Sequence, residues 1–176
     1  MITPKVIYQD DNFLAIDKPA SLLVHRREGI SKSEFLISKE KTLVEWLLKK
    51  YPEIKSVGDP STLQSVQGCP ELIERATISG QANLRPGIVH RLDKDTSGVI
   101  LIARNQRYFE YLKNLFKTGQ IKKNYLALAW GKLEPRQGII EKPIKIKTGT
   151  TKRTIWRGKS EKTAITEYKI IKFLKL

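Results

Sequence analysis

The chain of 176 residues is the size of one ordinary domain and is long enough to bury a core. With 40% hydrophobic and 29% charged residues, its composition is globular, which excludes the disordered and fibrous classes. Its 33 Lys and Arg against 18 Asp and Glu leave a net charge of +15, a balance that favours polyanionic partners, nucleic acid first, through release of condensed counterions. A membrane surface would exploit the same charge, but no basic amphipathic helix with an aromatic face is evident. One cysteine, Cys69, rules out an internal disulfide, and with only His25 and His90 beside it no Cys/His zinc cluster can be assembled. No apolar run is long enough to span a bilayer, and the polar start leads into a strand, so the cytoplasm is the expected location.

Val6 to Tyr8 and Phe13 to Asp17 have strand character, and Gln9-Asp10-Asp11-Asn12 between them suits a tight turn, so a hairpin is predicted. Lys18 and Pro19 end its second strand, and an apolar run resumes from Leu22 to Val24. Arg26 to Lys41 is polar and irregular, a surface loop. Thr42 and Glu45 form a capping box for a helix with Leu43, Trp46 and Leu47 on one face, stopped by Pro52. Gly58 to Gly80 lacks periodicity apart from a short turn of helix near Glu71 to Arg75, and is taken as a loop or insertion.

Leu84 to Asn105, L-R-P-G-I-V-H-R-L-D-K-D-T-S-G-V-I-L-I-A-R-N, has two unlike halves. As far as Gly98 it is turn formers and charges. Val99 to Ala103 is then a short β-branched apolar run, predicted as a strand buried on both faces. A charged loop backed by a core strand is a good holder for a reactive carboxylate. Asp93, between Arg91 and Lys94, is the candidate, because neighbouring cations favour its ionised form. An anionic carboxylate can act as nucleophile or base toward a sugar carbon. The alternative is a solvated turn with surface ion pairs. Asp93, Asp95, Ser97 and Gly98 also fall on the first places of a calcium loop, but Arg104 stands where the bidentate Glu is required and a strand follows instead of a helix.

Asn105 is an N-cap for a helix over Gln106 to Thr118 with Tyr108, Phe109, Leu112, Leu115 and Phe116 on its apolar face, closed by Gly119. Ile121 to Trp130 alternates, with Tyr125, Ala127 and Ala129 facing one way and Leu126, Leu128 and Trp130 the other, as a strand would. Gly131 to Gly149 suggests two short strands carrying Ile140, Ile144 and Ile146, with Pro143 at an edge. Thr148 to Lys159 is a Thr, Arg and Lys loop, solvated or a phosphate-contacting arm. Thr163 to Tyr168 is a further strand, and strand-like character continues to Leu176, where the sequence stops.

The run G-I-V-H-R-L-D-K-D-T-S-G-V-I-L-I-A-R resembles the signature of the RluA-type family of RNA pseudouridine synthases. The resemblance implies that Asp93 is the catalytic aspartate and that Arg91 fills the gap left by a flipped base. Lys122-Lys123-Asn124-Tyr125-Leu126-Ala127 is similar to the family's K-x-Y-x-A segment, which implies that Tyr125 stacks on the target base. Lys18-Pro19-Ala20-Ser21-Leu22 resembles the early K-P-x-G-L stretch, with Ser21 standing where a glycine is usual; a serine strains a turn that needs positive φ. The implied fold is α+β, a mixed, largely antiparallel sheet with flanking helices.

The family's later G-R-x-H-Q-I-R segment has no counterpart, so residues 1–176 are expected to be one catalytic domain lacking its C-terminal portion, with an unpaired sheet edge and no S4 domain. The implied activity is isomerisation of uridine to pseudouridine in rRNA or tRNA, with RNA as partner. It needs no cofactor, no metal and no obligatory protein partner. Two other classes stay open: a non-catalytic RNA-binding fragment, and a nucleoside or glycoside hydrolase, which would need a second carboxylate such as Asp95.

Overall fold

A computed structural model describes residues 3–25, 42–59, 85–147, 153–156 and 159–174. The expected loop at Arg26 to Lys41, the helical turn near Glu71 to Arg75 with most of its surrounding insertion, Cys69, Leu84, and much of the Thr148 to Lys159 arm lie outside the described residues. The chain divides into two compact units, 1–123 and 124–176.

In the first unit β1 (Lys5–Gln9) and β2 (Phe13–Lys18) form the predicted hairpin. Its turn is built by Asp10, whose Oδ1 accepts from the backbone N–H of Asn12 and of Phe13, both at 2.7 Å, an Asx-type closure open to few residue types. β3 (Gly98–Ala103) pairs antiparallel with β2 in the register Phe13↔Ala103 to Lys18↔Gly98, giving the order β1-β2-β3.

That register sorts side chains by face. Leu14, Ile16, Ile100 and Ile102 point to one side and pack with Leu43, Val44, Leu47, Ile54, Ile88 and Leu92. Phe13, Leu101 and Ala103 point to the other and pack with Val57, Phe109 and Leu112. Each fully buried aliphatic side chain contributes about 1.5–3 kcal/mol. The expectation of a strand buried on both faces therefore holds for Ile100, Ile102 and Ala103, with Leu101 half-buried, but fails at Val99, which is 50% exposed. Val99 lies opposite Asp17, on the face that carries Phe13, Leu101 and Ala103, but outside the cluster that covers them.

Helix α1 (Leu43–Lys50) begins at the predicted capping box: Thr42 Oγ1 accepts from Glu45 N at 3.3 Å, and Glu45 Oε2 accepts from Thr42 N at 3.2 Å. Its next two free donors, the N–H groups of Leu43 and Val44, are taken by the carbonyls of Leu23 and Val24. Pro52 ends it and opens a 3-10 turn, Pro52–Ser56. Helix α2 (Gln106–Lys117) is capped by Asn105, which accepts from Tyr108 N at 3.1 Å. It closes in a Schellman arrangement, Gln120 N to Leu115 O and Gly119 N to Phe116 O, with Gly119 at φ 69°.

In the second unit β4 (Gln137–Glu141) pairs with β8 (Ile165–Lys169), while β5 (Ile144–Ile146) lies between β6 (Arg153–Thr154) and β7 (Lys159–Lys162). Among the described residues every strand pair is antiparallel; the isolated bridge Leu23↔Thr42 is parallel. The α+β class is as expected.

Three expectations change in detail. The segment expected as a strand from Ile121 to Trp130 does not form one: its alternating pattern is that of a strand, but among the described residues it has no ladder partner, and Leu126, Leu128 and Trp130 stand exposed. β6 falls inside the loop predicted from Thr148 to Lys159 and β7 begins at its last residue, because their pairing with β5 is a backbone ladder with little apolar signal. Strand character stops at Lys169, since its partner β4 begins at Gln137 directly opposite; Ile170 N donates to Arg136 O, and residues 171–174 form no strand.

Candidate active site

The loop that carries Asp93 is built outward from β3. Pro86 and Gly87 are the central residues of a turn closed by Ile88 N donating to Arg85 O at 3.0 Å, with Gly87 at φ 66°. That φ demands glycine in a type II turn, and a Cβ there would also strike the Ala103 carbonyl oxygen. Gly87 N donates to Val57 O and Gly87 O accepts from Ala103 N, so the turn is stitched on both sides. Ile88 bridges Ile102, and the chain then leaves the strand.

Three anchors hold the segment from His90 to Lys94. His90 lies flat on Phe116 of α2, with ring centroids 4.5 Å apart, and its Nε2 accepts from the Leu101 N–H at 3.0 Å. Leu92 is buried in the core between the exposed Arg91 and Asp93. Lys18, at the end of β2, has no exposed surface, and its ammonium donates to Pro19 O (3.0 Å), Leu22 O (2.9 Å) and Lys94 O (2.9 Å). All three ammonium protons are thus used, and one of them ties down the peptide just after Asp93.

Burial holds the Lys18 ammonium below the ordinary lysine range, against the opposing attraction of Asp95 and Asp93. Burial, and then the Lys123 charge, likewise lower His90 below the usual histidine value. Its ring is therefore neutral at pH 7, consistent with a lone pair on Nε2 and the proton on Nδ1.

Asp93 itself points outward, with its side chain 87% exposed; its carbonyl accepts from Thr96 N at 3.2 Å to close the turn. Arg91 Nη2 stands 4.0 Å from Asp93 Oδ1, and the guanidinium is 60% exposed. At that distance and exposure the pair contributes little to stability. The arrangement presents an accessible carboxylate beside an accessible cation on an immobilised backbone. Tyr125, 65% exposed, belongs to the second unit, in the extended segment 122–130. His25, a loop histidine in sequence, is half-buried. Among the described residues no three His, Cys, Asp or Glu converge on a point where a metal could bind.

Two residues of the site escape sequence reasoning. Apart from its place in the stretch that resembles K-P-x-G-L, Lys18 in one dimension only marks the end of a strand; a lysine closing an apolar strand and followed directly by proline is the signal available. His90 leaves no local signal, because its partners at 101 and 116 are remote in sequence.

Fold and loop together define a class. A solved human structure, RNA pseudouridylate synthase domain containing 4, superposes with a TM-score of 0.57 over 93% of this chain and 52% of its own, at 22% identity, which establishes a shared fold. The model of the RNA pseudouridylate synthase family matches residues 12–175, and the chain belongs to that family. Among curated relatives, an uncharacterized RNA pseudouridine synthase of Aquifex aeolicus is 31% identical over 95% of this chain and 43% of its own length. Ribosomal large subunit pseudouridine synthase D of Nitrosomonas europaea is 32% identical over 80% of this chain and 30% of its own. The chain thus spans less than half the length of these two relatives.

Proposed function

We propose that this chain carries the catalytic centre of an RNA pseudouridine synthase that isomerises uridine to pseudouridine in ribosomal or transfer RNA, with Asp93 as the catalytic residue. The observation that supports it most is an exposed carboxylate on a loop tethered at His90, Leu92 and Lys18. The reaction breaks the bond between ribose C1′ and uracil N1 and joins C1′ to C5. The C5 proton leaves and N1 gains one, so no electrons are exchanged and no cofactor is required.

An anion near C1′ stabilises the electron-poor sugar, and the Asp93 carboxylate is free to approach it. A uridine must leave its stack to be reached, at a cost of a few kcal/mol. Arg91, filling the vacated space, and Tyr125, stacking on the base at about 1–3 kcal/mol, would offset that cost. The net charge of +15 supplies the sequence-independent affinity for the RNA backbone. Ribosomal RNA is the preferred substrate class, since the Nitrosomonas europaea relative is named for the large ribosomal subunit. The catalytic unit would work in the cytoplasm; no described helix is long and apolar enough to cross a membrane.

The test is tritium release from ribosomal RNA labelled at uridine C5, comparing the chain with Asp93→Asn. Release that disappears in the variant is expected, and equal release from both would overturn the assignment. Free uracil as product would instead identify a hydrolase.

A further inference from the structure

The outer edge of β3 is satisfied in an unusual way. β2 occupies one side of the strand, and on the other side Ala103 N donates to Gly87 O, the first rung of an antiparallel ladder. Ile88 bridges Ile102, and the next rung would bring the Val89 carbonyl to the Leu101 N–H. That donor goes instead to the imidazole Nε2 of His90 at 3.0 Å. A side chain replaces a strand. The backbone can therefore turn away from β3 after Ile88 without leaving a part-buried N–H unpaired, and Arg91 to Asp93 are carried off the sheet toward solvent.

We propose that His90 is the positioning residue that sets the departure of the Arg91–Asp93 segment from β3, acting as a neutral acceptor clamped between the Leu101 N–H and the Phe116 ring. This rests on the assignment of Asp93 as the catalytic residue. The groups around the ring fit the role. β3 contributes the Leu101 N–H, α2 contributes the Phe116 face, and Lys123, after α2, contributes a positive charge that opposes protonation. Protonation would turn Nε2 into a donor facing a donor and break the strut.

His90→Phe keeps a ring to stack on Phe116 but cannot accept a hydrogen bond; His90→Gln offers a side-chain carbonyl in its place. With both variants folded by circular dichroism, His90→Phe is expected to lower kcat for pseudouridine formation roughly tenfold to a hundredfold, the scale of a displacement of about 1 Å. KM for the RNA should change far less, because the sequence-independent attraction for the RNA backbone comes from the net charge of +15, which the loss of a neutral imidazole leaves unchanged. His90→Gln should recover most of kcat and lack the decline in kcat expected of the wild-type chain as falling pH protonates the imidazole. In parallel, the backbone amide shifts of Arg91, Leu92 and Asp93, read by 15N NMR on the full chain, should move in His90→Phe and return in His90→Gln. Wild-type kcat in His90→Phe, or unmoved amides, overturns the proposal. If the wild-type chain gives no turnover, the assignment of function fails, and the amide shifts alone still decide whether His90 holds the loop.

Discussion

Replacing Lys18 by methionine tests the claim that a buried ammonium fastens the loop to the sheet. Methionine matches the length and flexibility of the lysine stem, so the apolar packing is conserved and the three hydrogen bonds to Pro19, Leu22 and Lys94 are what is lost. Charge-assisted bonds contribute about 1.5–3 kcal/mol each, and removing a buried charge relieves a desolvation cost of several kcal/mol. Because the three carbonyls belong to partly exposed residues, water satisfies them in part, and a net loss of about 2–3 kcal/mol is expected. With a slope of about 1–3 kcal/mol per molar urea, the unfolding midpoint should fall by about 1–2 M. The pH dependence has a definite sign. The burial cost on the charge is present below the folded-state value and is relieved as pH rises from there toward the ordinary 10.5. The gap between wild type and Lys18→Met should therefore be smallest near neutrality and widen in the alkaline range. A midpoint within about 0.3 M of wild type, or a gap that narrows with alkali, would refute the reasoning.

Ser21 sits at φ 64°, a region that costs a non-glycine residue about 1–2 kcal/mol, partly offset by the greater chain entropy of glycine. Ser21→Gly should stabilise the chain by roughly 0.5–1 kcal/mol in the same urea titration. At Gly87 the reverse holds: Gly87→Ala adds a Cβ against the Ala103 carbonyl and at positive φ, and a loss of about 2–4 kcal/mol is expected from thermal unfolding. Thr42→Ala removes half of the capping box of α1 and should cost about 1 kcal/mol, read as a lowered melting temperature with unchanged native circular dichroism.

Features legible in the chain alone are local or periodic. The β1–β2 hairpin, both helix caps, the stop at Pro52, the Gly119 closure and the β3 strand all follow from residues within a few positions of one another. There the backbone has few alternatives, and turn or cap chemistry selects among them. The position of Asp93 between two cations on a loop before a core strand is legible for the same reason, whereas the strain at Ser21 is legible only through the resemblance of its segment to the K-P-x-G-L stretch.

Everything else depends on packing between distant segments. Alternation in 122–130 has strand character, but a strand exists only where a second backbone supplies its hydrogen bonds, and pattern cannot name that partner. β6 and β7 show the converse, forming on the edges of β5 with almost no apolar pattern to announce them. Val99 is exposed because the second core cluster does not reach it, a fact of packing that its β-branched neighbours conceal. The anchors of the loop are contacts across the fold: Lys18 reaches the Lys94 carbonyl 76 residues away, and His90 meets β3 and α2. A lysine that buries its charge and a histidine that stands in for a strand look ordinary in one dimension. Their roles exist only once folding has brought otherwise unpaired carbonyls and an edge N–H within reach.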